Sequence, residues 1–171
     1  MVSSLSGQSD SIHHETDSLR NQFSLEIFGS GVNYSIGYER IIINHPRFNL
    51  ASRIGMGYYP FNDEMFSIPL ELTTFWGSNN NNVETGMGLV WCSYRPTIPY
   101  GITPAASEDL NFSDTKETQL LYSFRFGYRY QKPYHRSSFR IALTFLFESS
   151  DGVLKIYYQQ IPIGISYGYR F

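Results

Sequence analysis

From Phe23 to Phe171 the chain repeats one pattern about eight times, a segment of about ten residues in which bulky apolar side chains alternate with small or polar ones. Alternation with period two places every bulky side chain on one face of an extended strand. It is incompatible with a helix, whose apolar positions recur every three to four residues. Phe23, Leu25 and Ile27 alternate with Ser24 and Glu26, and after Gly29, Ser30 and Gly31 the residues Tyr34, Ile36 and Tyr38 alternate with Ser35, Gly37 and Glu39. These two runs read as a β-hairpin.

The same parity continues along the chain. Past Asn44, His45 and Pro46, Leu50, Ile54, Met56 and Tyr58 oppose Ala51, Arg53, Gly55 and Gly57. Residues 66–76 set Ile68, Leu70 and Leu72 against Glu71 and Thr73, and an asparagine-rich turn follows. Val83, Met87, Leu89 and Trp91 oppose Glu84, Gly86 and Gly88, while Tyr122, Phe124, Phe126, Tyr128 and Tyr130 oppose Ser123, Arg125, Gly127 and Arg129. Phe139, Ile141, Leu143 and Phe145 oppose Arg140, Ala142 and Thr144. In the last segment, residues 161–171, Ile163, Ile165, Tyr167, Tyr169 and Phe171 oppose Gly164, Ser166, Gly168 and Arg170. A polar arm, residues 1–21, precedes the repeats, which occupy residues 22–171 as one domain.

In a water-soluble barrel the bulky residues would have to fit inside. Eight strands enclose room for only a few side chains of that size, so the bulky face must be the outside and lipid its neighbour. Composition agrees: 17% of residues are aromatic and only 16% charged, against roughly 25% charged in soluble domains. No stretch of about 18 apolar residues provides a membrane-spanning helix. A net charge of −2 leaves no basic stripe for nucleic acid. The arm has no apolar leader core, so export implies either a leader removed behind an added methionine or a misplaced start of the reading frame.

At this point the chain resembles the small eight-stranded outer-membrane β-barrel proteins of Gram-negative bacteria, over about residues 23–171. The resemblance is carried by the ending Gly164, Ile165, Ser166, Tyr167, Gly168, Tyr169, Arg170 and Phe171, which looks like the final strand read by the outer-membrane assembly machinery, with Tyr169 and Phe171 as the signal. The run from Asn33 to Arg40 is similar to the second strand of one group of these barrels. What the resemblance implies is an antiparallel up-and-down eight-stranded transmembrane barrel in the bacterial outer membrane, with the arm in the periplasm. Short turns then face the periplasm, and the outer connections are residues 29–33, 59–65, 94–117 and 148–156.

Parity places Glu26, Glu39, Glu71 and Glu84 on the inward face with Arg53, Arg125, Arg129, Arg140 and Arg170. Charges in a narrow lumen must pair, so these nine should form a cross-barrel network that plugs it. With arginines in excess, Glu26 and Glu39 read as ion-paired partners and not as an acid/base dyad.

No catalytic, cofactor or metal set emerges. His13 and His14 lie in the arm, His45 and His135 on periplasmic turns, and the outer rim offers Ser107, Ser113 and Ser149 without an imidazole. The lone Cys92 reads as a small apolar residue. Acids on the outer connections, including Asp63, Glu64, Glu108, Asp109, Asp114, Glu117 and Asp151, suit divalent cations bridging lipopolysaccharide. Pro69 and Pro162 should leave a ladder gap or bulge. The expected role is a structural or interaction protein, with membership of a larger complex as one form of it. A lipid-modifying enzyme sited near the two prolines is the alternative, and a small-solute channel a more remote one.

Overall fold

Each alternating segment is a strand in the computed structural model, which describes residues 19–45, 47–59, 65–78, 80–94, 116–132, 135–150, 153–156 and 162–171. The strands are β1 (Asn21–Gly29), β2 (Val32–Asn44), β3 (Asn49–Tyr59), β4 (Met65–Ser78), β5 (Asn81–Tyr94), β6 (Glu117–Gln131), β7 (Ser137–Ser150), β8 (Val153–Ile156) and β9 (Ile163–Arg170). All neighbours run antiparallel, and the sheet closes because β9 pairs with β7 on one side and β1 on the other. The wall has eight positions. β8 and β9 share the eighth, β8 pairing with the far part of β7 at Phe147↔Ile156 and β9 with the near part at Leu143↔Ile163.

Closure fixes the geometry. Ser137, Tyr169, Phe23, Tyr38, Ile54, Leu70, Leu89 and Tyr122 are successive partners round the wall, and Tyr122 pairs with Phe147, ten residues beyond the starting Ser137. With strands about 4.8 Å apart and about 3.3 Å of rise per residue, that stagger tilts the strands by about 40° and sets the backbone about 8 Å from the axis. Such a lumen is filled by its own side chains. The bulky row faces outward on every strand of the closed wall, with Leu25 and Ile36 each 61% exposed.

Several strands outrun the ten-residue segments. β6 begins at Glu117, and β7 and β8 take up most of residues 148–156, so the expected outer connection there is a strand extension. The expected arm ends at Arg20, since Asn21 opens β1, and residues 1–18 lie outside the described set, as do 60–64 and 95–115. Pro69 sits inside β4. The β3–β4 ladder pairs Ile54↔Leu70 and Gly57↔Ser67 in one register with nothing paired between them, a gap without a bulge, because proline has no N–H to donate. Pro162 immediately precedes β9, and its carbonyl accepts from the Thr144 N–H at 2.6 Å.

The β1–β2 turn departs most from expectation. It is not an exposed outer loop: Gly29, Ser30 and Gly31 are buried, and Ser67 donates through Oγ to the Gly31 carbonyl at 3.0 Å. The turn folds into the mouth of the barrel. Phe28 takes a left-handed φ of 52° and Gly29 a φ of 131°, which together reverse the chain inward.

Candidate functional site

The inward face is layered. At the end carrying both chain termini, called the terminal end below, Gln22, Ser138 and Arg170 lie with an apolar group of Ile41, Ala51 and Phe75. At the opposite, loop end, Met65, Val90, Cys92, Leu121 and Leu146 form a second apolar cluster, flanked by Tyr59 and Tyr94. Between these layers stand the charges.

Eight of the nine inward charges join through shared carboxylates. Toward the terminal end, Arg129 grips Glu39 with two bonds, Nη1–Oε1 at 2.7 Å and Nη2–Oε2 at 3.0 Å, and donates from Nε to Glu84 at 2.6 Å. Arg140 Nη1 reaches the same two carboxylates at 2.9 and 3.4 Å. Nearer the loop end, Arg53 bridges Glu26 at 2.8 Å and Glu71 at 3.2 Å, and Arg125 Nη2 meets Glu26 at 2.8 Å and Glu71 at 3.5 Å. Arg125 Nη1, 3.9 Å from Glu84, links the two groups. Glu26 and Glu39 thus fall in different groups, each between two arginines.

Register explains the meeting. Arg53 lies directly between its cross-strand partners Glu39 and Glu71, whereas Arg125 and Glu26 come from opposite walls and meet only because the barrel closes. Four arginines and four glutamates balance, all with side chains 0–2% exposed. Paired, hydrogen-bonded charge is the form in which burial of this kind is tolerated.

Further support comes from residues that the charge pattern does not reveal. Ser35 and Ser123 donate to Glu26 and Glu71 at 3.4 Å, the inverted turn places Ser30 Oγ 3.2 Å from Arg125 Nη2, and the Phe75 ring lies 3.9 Å from the Arg129 guanidinium carbon. Their signal was parity alone, since Phe75, Val90, Cys92, Leu121 and Leu146 occupy the same alternate positions as the charges.

Arg170 stands apart. It faces the lumen but donates to the carbonyls of Lys132 at 3.3 Å and Leu19 at 3.1 Å, and so fastens the chain ends to the β6–β7 turn. Tyr169 and Phe171, the two residues expected from the sequence to serve as an assembly signal, face outward at the closing seam. Tyr169 pairs with Phe23 and Ser137, and the Phe171 ring stacks on Phe23 at 5.2 Å while its backbone exchanges hydrogen bonds with Asn21 at 2.9 and 3.3 Å. His45 and His135 are exposed at terminal-end turns, and among the described residues no group of three metal-ligating side chains occurs.

The arrangement ties together strands β1 to β7 across a lumen about 8 Å in radius, and it obstructs that lumen. No protein-family model matches the sequence, and no curated protein is similar to it in sequence. Among solved structures, the N-terminal β-barrel domain of Pseudomonas aeruginosa OprF is similar, with a TM-score of 0.56 at 10% identity over 88% of this chain and 95% of that one. Neisserial surface protein A (NspA) aligns over 88% of this chain and 93% of that one at 9% identity, with a TM-score of 0.44. The chain therefore has the fold of the small, closed, eight-stranded outer-membrane β-barrels.

Proposed function

We propose that this chain is an integral protein of the bacterial outer membrane that acts as a structural or interaction barrel and not as a conduit, with a place in a larger outer-membrane complex as the specific form of that role. The observation that carries the reading is the eight-charge lock between two apolar layers, which leaves side chains and not solvent across the lumen. An exterior of exposed aromatic and aliphatic residues supports a lipid surroundings, and the acids of the loop-end connections would meet lipopolysaccharide phosphates through divalent cations.

Planar-bilayer recordings of the purified chain test the locked lumen. Silence at moderate voltage is expected, and stable, reproducible conductance steps would overturn it. Chemical cross-linking in intact membranes, followed by purification in mild detergent, tests the complex. A partner recovered at fixed stoichiometry supports it, whereas recovery of the barrel alone under several detergents counts against it.

A further inference from the structure

Among the described residues the outward face is apolar through the middle of the wall, and its polar positions lie toward the ends, Ser93 and Thr118 near the loop end and a larger group near the terminal end. In that group, on β2 to β5, are Arg40, Ser52, Thr74 and Thr85. Arg40 pairs with Ser52 and Thr74 with Thr85, and the two pairs are offset by two residues on adjacent strands, since Ser52 faces Leu72 and Thr74 faces Leu50. At a tilt of about 40° each residue climbs about 2.5 Å, which puts them within about 10 Å of the terminal-end edge of the apolar band. Trp76 marks that edge on β4, and exposed Arg47 lies just beyond it in the β2–β3 turn.

Charge outside the lumen is divided by end. By position in the chain, the terminal end carries Arg20, Arg40, Arg47, Lys132 and Arg136 against the three acids of the arm, Asp10, Glu15 and Asp17, and has no acidic side chain from residue 19 onward. By position in the chain, the loop-end segments hold eight acids against three bases. An arginine on the lipid-facing wall is least costly where its head can reach the headgroup layer, and the level of Arg40 allows this. Flanking hydroxyls add donors, and a phosphate would supply both the opposite charge and the acceptors.

We infer that the terminal rim, centred on Arg40 and Arg47, is a binding surface for anionic phospholipid headgroups. This rests on the membrane reading above. The two tryptophans provide the test, because Trp76 lies at the terminal edge and Trp91 at the loop edge, both outward and exposed. A Trp91→Phe variant of the full chain is reconstituted in vesicles that mix brominated phosphatidylglycerol or brominated phosphatidylcholine with unlabelled lipid, and quenching of Trp76 gives the relative association of each headgroup. Phosphatidylglycerol should be favoured about fivefold at Trp76, the effect of one near-surface base. The preference should fall toward one in Arg40→Gln/Arg47→Gln and in about 0.5 M salt. At Trp91, in a Trp76→Phe variant, the ratio should be near one. Equal association at Trp76, or the same preference at both tryptophans, overturns the inference and leaves an acidic protein segment as the rim's occupant. Absence of quenching by either brominated lipid would instead overturn the membrane reading itself.

Discussion

Replacing Arg129 with methionine removes the most heavily engaged guanidinium in the lumen. It makes three hydrogen bonds of 2.6, 2.7 and 3.0 Å to two carboxylates and stacks on Phe75. A hydrogen bond to a charged group contributes about 1.5–3 kcal/mol, so the gross loss is about 5–9 kcal/mol. Arg140 still holds Glu39 at 2.9 Å and Glu84 at 3.4 Å, which offsets part of this. The remainder matches the about 3–5 kcal/mol observed when one member of a buried pair is deleted, and about 4 kcal/mol is the expected cost, nearly a thousandfold in the folding equilibrium. Reversible urea unfolding in lipid vesicles, followed by tryptophan fluorescence, measures it. Arg129→Met/Glu39→Gln should recover at least about 2 kcal/mol, because the first change leaves four buried carboxylates against three arginines and the second restores the balance. A single-variant cost under about 1 kcal/mol, or a double variant no more stable than the single, would refute the view that mutual pairing holds the charges in place.

Other perturbations probe other layers. A Cβ at Gly57 would lie 2.2 Å from the Gly31 carbonyl oxygen, so Gly57→Ala should push the inverted turn out of the mouth at a cost of about 1–3 kcal/mol. A cysteine introduced by Ser30→Cys should then react with maleimide in the Gly57→Ala background and stay protected without it; equal labelling in both would contradict the tucked turn. Leu121→Ala removes a fully buried member of the loop-end apolar cluster and should cost about 2–5 kcal/mol in the same unfolding assay, a value under about 1 kcal/mol showing that the cluster does not pack as described. Phe171→Asp takes away the stacking on Phe23 at the closing seam, so the yield of heat-modifiable, folded barrel in membranes should fall severalfold, and wild-type yield would dispose of the closing role given to this residue.

Period-two patterning in the sequence determined the strands, their order and which face of each points outward, because a pleated strand sends successive side chains to opposite sides and leaves no other assignment consistent with so narrow a barrel. That is why Glu26, Glu39, Glu71, Glu84, Arg53, Arg125, Arg129, Arg140 and Arg170 could all be placed inward from parity alone. Which charge meets which could not be read in this way. The pairing of Arg125 with Glu26, ninety-nine residues apart, follows from a ten-residue stagger set only when β9 joins β1 to β7. Closure likewise carries Arg170 to the carbonyls of Leu19 and Lys132 instead of a carboxylate.

The inverted Ser30–Gly31 turn was hidden for a related reason. Glycine and serine permit many turns, and the inward one is selected by Arg125, Ser67 and the missing side chain of Gly57, all distant in sequence. Alternation is a property of neighbours along one strand and survives in the linear chain, whereas stagger, ion pairing and the direction of a turn depend on distances across the closed wall, which come into being only with the barrel.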